Sequence, residues 1–336
     1  MDIEFHYYVT YLTATKVGFK PKDANVLAYS SQYVDNNDIL FEINKGSEEL
    51  YYENYISQTL DITKPQKDLL RIYPFFHFIP GEDSNYSEKI NKDEMPPLNT
   101  IPDNLNANKM IDKALAGNNL YEIGIASHAY LDTWSHQNFV GMENDYNGLD
   151  HILPNIGHAD AGHDPDIPDK VWDDSRLKNA TVNNKERFLV AIGRLFEKLF
   201  KYKNDNDKLS KLPSEKQELI DDIGEIIEEG PDKEERIGLY KELALEDEYG
   251  GQEIEDYDEY YWFNEAIKED YPEKYDFEYK VKVNLNHLFF KDYTWDDPDN
   301  YNNTHWFKFQ EAVKSHQDKM EGILSSNLEI VSTEKW

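Results

Sequence analysis

Residues 127–141 read SHAYLDTWSHQNFVG, and within them His128, Asp132 and His136 recur at four-residue intervals. In an α-helix each four-residue step advances about 400°, so the three side chains drift only about 40° apiece and share one face. Imidazole nitrogens and carboxylate oxygens both ligate divalent metals, and an i, i+4 pair can hold one ion. His136 stands about 12 Å along the axis from His128, too far to share that ion and well placed for a neighbouring one. The stripe therefore suggests a multi-metal cluster with Asp132 at its centre.

Seven of the ten histidines fall between residues 6 and 163: His6, His77, His128, His136, His151, His158 and His163. There is no cysteine, so any metal must be held by His, Asp, Glu or water. His77 lies between Phe76 and Phe78, in a segment that reads as buried, where an imidazole needs a partner. His158 and His163 are the favoured ligands of the later loop, with His151 positioning its neighbours. Asp35, next to Asn36 and Asn37, reads as a ligand or as a helix terminator. Asp164, Asp166 and Asp169, spaced by Pro165 and Pro168, read as turn formers or as acceptors for ligand histidines. His287, His305 and His316 read as surface or packing residues.

Helices must position these groups, because helical periodicity dominates and alternating strands are few. A first helix is predicted over about 3–17, ending near Gly18, and a second from Pro21 to the YVDNN turn. Residues 38–104 read as irregular, with ILFEI and LLRIYPFFHFIP as short extended pieces. Further helices are predicted over 106–117, 119–139, 183–202 and 304–326. The Gly-, Pro- and Asp-rich stretch 141–175 is a loop, and long loops in compact domains are usually functional or disordered. Its histidines favour function. Residues 1–202 thus form a helical metal-binding core, 203–275 an acidic helical insertion or subdomain, and 276–336 a C-terminal segment whose helix packs back on the core.

The chain has 336 residues, 39% of them hydrophobic, and a net charge of -32. It is long enough to bury a substantial core. The charge argues against nucleic acid or anionic membrane as a partner, since such binding needs a basic footprint. No apolar run approaches the roughly 20 residues of a membrane span, and the N-terminus lacks the features of a secretory signal. The expectation is a cytoplasmic protein.

A His early in the first helix, an Asp late in the second, a lone His, a His-x3-Asp motif with a further His, and then a His-containing loop together resemble the zinc-dependent phospholipases C and single-strand-specific nucleases. The stretches FHYYVTYL, YSSQYVD, SHAYLDTWSHQNF and GHADAGHDPDIP are also similar to a family of bacterial helical proteins. The likeness covers about the first half of the chain and the helix near 183–202. It implies a mainly α phospholipase C/nuclease-like domain with two or three zinc ions that hydrolyses a phosphoester. His77, His128, Asp132 and Asp35 would surround one ion, His6 with Asp132 a second, and His136 with His158 a third. Asp35 and Asp132 would be the catalytic carboxylates, Asp35 as base or water-orienting group. The family carries an acid four residues after the later His; position 162 here is Gly, leaving Asp160 or His163 to substitute. Its mature N-terminal residue is itself a ligand, whereas this sequence starts at Met1 with no signal to cleave. A small phosphoester or a zwitterionic head group is the expected substrate, in preference to duplex nucleic acid. Two alternatives are a non-enzymatic helical protein that binds metal or a partner, and an HD-type phosphohydrolase built on His163 and Asp164.

Overall fold

A computed structural model describes residues 1–59, 66–83, 90, 95–149, 155–272, 275–276, 282–283 and 292–332. The architecture is mainly helical. A π-helical opening, Glu4–Val9, runs directly into an α-helix, Thr10–Lys16, and the two form α1. The hydroxyl of Thr10 donates to the Phe5 carbonyl at 2.7 Å, satisfying an acceptor in the widened turn. Gly18 closes α1 at φ +101°, a conformation that side-chain-bearing residues avoid. Next come α2 (Pro21–Asn36), α3 (Gln66–Phe76), α4 (Leu105–Gly117) and α5 (Leu120–Ser135). After the irregular stretch that follows α5 come α6 (Asn184–Lys203), α7 (Leu212–Glu229), α8 (Lys233–Leu243), α9 (Tyr261–Ala266) and α10 (His305–Ser332). The described strands make three two-stranded antiparallel ribbons, Glu42–Ile43 with Tyr52–Glu53, Val171–Asp173 with Thr181–Asn183, and Tyr275–Asp276 with Lys282–Val283.

Two predicted elements differ from those observed. LLRIYPFFHFIP is not extended: most of it lies in α3, which contains Pro74 two residues before its end. A short apolar run has no decisive period, and packing settles it here, with Ile72, Phe75 and Phe76 buried and α3 lying against α10. The motif helix α5 stops at Ser135 rather than near 139, with His136 as its C-cap, and Asn138 follows at φ +67°. His136 is therefore freed from the helical stripe and turns toward the following loop.

The helices enclose one large apolar core. Phe188, Ile192, Leu195, Phe196 and Leu199 of α6 are fully buried, as are Trp306, Phe309, Val313 and Met320 of α10. Leu219, Ile223 and Tyr240 of the 203–275 segment belong to this same core. At its centre α2 crosses α5 at closest approach: a Cβ on Gly124 would stand 2.4 Å from the Leu27 carbonyl oxygen and 2.5 Å from Ser30 Cβ. The missing side chain lets the two backbones meet, bringing Asp35 on α2 level with His128 on α5. No helix among the described residues is long and apolar enough to cross a membrane.

Candidate metal centre

Five imidazoles and three carboxylates converge between α1, α2, α3, α5 and the 155–170 loop. Among the described residues, three groups have ligand atoms within 4.8 Å of one another: His6, Asp35 and His128; His77, His128 and Asp132; and His136, His158 and Asp166. Asp132, 1% exposed, divides its two oxygens among them. Its Oδ1 faces His6 Nε2 at 3.0 Å and the amino group of Met1, while its Oδ2 faces His77 Nδ1 and His128 Nε2, each at 3.2 Å, and His136 Nδ1 at 3.5 Å. Asp35 Oδ1 completes the other side, 3.6 Å from His128 Nε2 and 3.8 Å from His77 Nδ1. Asp166 Oδ1 lies 3.4 Å from His136 Nε2, and its Oδ2 3.3 Å from His158 Nε2.

The hydrogen bonds on the outer side of the rings fix their inner faces. His77 Nε2 lies 2.9 Å from the Ser57 carbonyl oxygen, His136 Nδ1 2.9 Å from the His77 carbonyl oxygen, and His158 Nδ1 2.8 Å from the Gly162 carbonyl oxygen. A carbonyl oxygen only accepts, so each of these nitrogens carries the proton and donates. In the neutral ring the other nitrogen then presents a lone pair, and each such lone pair faces Asp132 or Asp166. Lone pairs pointed at buried carboxylates repel unless a cation lies between them. Metal-bound histidines use this same outward donation to fix tautomer and orientation. The donor set of nitrogen and oxygen without sulfur suits zinc and other borderline divalent ions, so the residues fit such a group.

The electrostatics agree. Burial pushes the His6 imidazole down to about 3, reinforced by His128, on which it stacks at 3.8 Å, and by the Met1 amino group. Burial likewise lowers His158. Burial opposes ionisation of Asp132, yet His136, the Met1 ammonium, His128 and His6 together hold it well below the usual carboxylate range. The same competition holds Asp166 down, through the ammonium and His158. Burial disfavours charge on His77 too, but its contact with Asp132, helped by Asp35, wins and raises it. A proton on His77 Nδ1 fills the position a metal would take. The Met1 amino group, 2.9 Å from Ser135 Oγ and 3.2 Å from Asp166 Oδ1, is raised to about 11: burial lowers it, and Asp132, Asp166 and Asp35 outweigh that.

Of the eight residues expected from sequence, the structure brings together His6, Asp35, His77, His128, Asp132, His136 and His158. His163 is not among them. It is exposed beside the single 3-10 turn Asp164–Asp166, and Asp164 pairs with Lys170 at 3.0 Å, so the His163–Asp164 pair joins none of the three groups. Asp160 accepts from the Leu149 amide at 2.6 Å and also lies outside them. The carboxylate opposite His136 and His158 is Asp166, eight residues after His158 instead of four. The Asp-Pro-Asp turn places it there, so spacing alone missed it. Ser135 and the Met1 amino group were missed as well. His316 is buried, with Nε2 donating to the Phe75 carbonyl oxygen at 2.9 Å, a packing role. His305 accepts from or donates to the Tyr121 hydroxyl at 2.8 Å. His151 and His287 lie outside the described residues.

Fold and site together define a mainly helical protein with a buried His/Asp cluster of metal-ligand type. Over residues 1–324 the chain matches a family of unknown function, DUF6765, and it belongs to that family. No curated protein and no solved structure matches it.

Proposed function

We propose that this chain is a metal-dependent phosphoester hydrolase, with zinc as the first candidate metal, akin to the zinc-dependent phospholipases C and single-strand-specific nucleases it resembles. The observation that carries this reading is the set of histidine lone pairs, locked by outward donation to backbone carbonyls, that converge on Asp132 and Asp166. His77, His128, Asp132 and Asp35 would hold one ion, His6 with Asp132 a second, and His136, His158 and Asp166 a third. Bound divalent ions would supply the positive charge that a phosphoryl group accumulates against in its transition state, and a nucleophile at neutral pH.

The chain's own residues would do the rest. Asp35 is the most open of the carboxylates, its side chain 28% exposed against 14% for Asp166 and 1% for Asp132. It would orient a water molecule or accept its proton, while Gln58 Nε2 donates to its Oδ1 at 3.5 Å and steadies it. A cleft of about 500 Å3 adjoins Asp166, lined by Asp2, Glu4, Asp169 and Asp232 and by Lys233 and Arg236. Its mostly acidic wall favours a small phosphoester or a zwitterionic head group over a polyanion.

The near-complete burial of His6, His128 and Asp132 favours a second reading, a metal site that serves stability in a non-enzymatic protein. Metal content per chain separates the two. Protein purified without added metal or chelator is expected to hold two or three equivalents, lost in Asp132→Ala, and to hydrolyse some member of a phosphodiester panel. A folded wild-type chain that takes up no zinc, iron or manganese overturns the hydrolase reading, and one closed ion without turnover favours the second.

A further inference from the structure

The acidic 203–275 segment carries a buried arginine that reaches, from outside, the two segments that bear His6 and Asp166. Arg236, on α8, is 2% exposed. Its Nε and Nη2 donate to the two carboxylate oxygens of Glu4, at 2.7 and 2.8 Å, in a bidentate fork. Its Nη1 donates to the Gly230 carbonyl oxygen and lies 3.2 Å from Asp169 Oδ2. Glu4 sits in the π-helical opening two residues before His6, and Asp169 three residues after Asp166. Gly230 is shaped to this fit, since a Cβ there would stand 2.3 Å from Arg236 Cγ. One turn earlier on α8, Lys233 reaches Asp2 Oδ2 at 3.2 Å, so the helix grips the first turn of the chain at two points.

We propose that Arg236 is a positioning residue, its guanidinium clamping the segment that bears His6 to the loop that bears Asp166, so that the 203–275 region sets the spacing of two of the three ligand groups. The inference rests on the metal reading above. A planar fork is needed because one donor group must satisfy Glu4 and Asp169 together in fixed directions, which a lysine ammonium does not do. The group formed by His77, His128 and Asp132 is built on α5 and on the residue that follows α3, and among the described residues Arg236 makes no hydrogen bond or ion pair with either. The clamp therefore acts selectively on the other two groups, unlike a general contribution to stability.

The test is a cobalt(II) titration followed by visible absorption, with helix content checked by circular dichroism, on wild type, Arg236→Lys and the charge-neutral double variant Glu4→Gln/Arg236→Gln. Wild type is expected to bind two or three equivalents. In Arg236→Lys one equivalent keeps its affinity, and the remainder weaken about tenfold, the lower end of the effect of losing a direct outer partner of metal ligands, because Arg236 holds Glu4 and Asp169 and not a ligand itself. The double variant decides the matter should Arg236→Lys fail to fold. A folded variant that binds every equivalent like wild type overturns the clamp and leaves the metal reading standing. Loss of all ions in step with helix content in both variants overturns it in favour of plain stability. A wild type that binds no cobalt overturns the metal reading and the clamp with it.

Discussion

Replacing Gly124 by alanine tests whether the approach of α2 to α5 builds the site. Two effects of opposite sign compete. Alanine is favoured over glycine in a helix interior by about 1 kcal/mol. Against that, the new methyl would lie 2.4 Å from the Leu27 carbonyl oxygen, 2.5 Å from Ser30 Cβ and 3.2 Å from the Ser31 amide nitrogen. Carbon atoms pack at about 3.5–4.0 Å, so the helices must part locally by about 1 Å, and overpacking of this kind costs about 1–3 kcal/mol. Backbone atoms supply two of the three contacts, so no side-chain rotation relieves them. The net expectation is destabilisation of up to about 2 kcal/mol. The same displacement carries Asp35, five residues beyond Ser30 on α2, away from His128, four residues beyond Gly124 on α5, lengthening a 3.6 Å separation. Metal affinity should fall at least tenfold. Gly238→Ala on α8 is the matched control, because a Cβ there meets nothing within 4 Å. It should gain about 1 kcal/mol from helix propensity alone and leave metal binding untouched. Thermal melts and metal content per chain provide both readouts. If Gly124→Ala melts at or above wild type and binds metal equally well, the close crossing does not set the geometry of the site.

Three further outcomes follow from the same structure. Asp166→Asn should lower metal content by one equivalent while His163→Ala leaves it unchanged; elemental analysis of the two variants showing the reverse would return the third group to His163. Asp35→Asn should keep the fold and lower kcat on any phosphodiester substrate at least a hundredfold, and a variant turning over at the wild-type rate removes Asp35 as the water-orienting group. His316 is 1% exposed and burial pushes its imidazole down to about 4, so folding holds it neutral while the unfolded chain protonates near 6.5. Its contribution is complete above pH 6.5 and is lost as pH falls toward 4, by about 3 kcal/mol for a shift of this size. Denaturant titrations of wild type and His316→Gln should converge or diverge by that amount between pH 7 and 4, and parallel profiles would show that the ring is not held neutral.

The sequence carried the helices wherever an amphipathic period was backed by a cap. Pro21 opens α2, Gly18 closes α1, and the apolar positions named for α6 are buried. It did not carry α3, whose apolar run has no decisive period and includes a proline usually found outside helices. In the site, the His-x3-Asp-x3-His spacing placed His128 and Asp132 on one helix and read His136 on the same face toward a neighbouring ion, but the early end of α5, followed by Asn138 in a left-handed conformation, takes His136 out of that helix. Asp166 was illegible for a different reason. A ligand supplied by a helix is fixed by its period, whereas one supplied by a loop depends on turns that spacing does not encode. Arg236 was hidden among the charges of 203–275, where a single buried cation has the same letters around it as an exposed one.

The two scales of charge in this molecule act in opposite directions. The chain carries 67 acidic side chains against 35 lysines and arginines, and this field draws divalent cations toward the protein while turning polyanions away. Inside, three carboxylates sit among five imidazoles, and burial opposes charge on His6 and His158. Two or three divalent ions placed there would bring four to six positive charges against three negative ones and reverse the sign of the potential locally. A phosphoester small enough to leave most of the outer surface behind would then meet attraction only at close range. On the proposed hydrolase reading, the outer charge would select for substrate size and the metal-loaded cluster for the phosphoryl group.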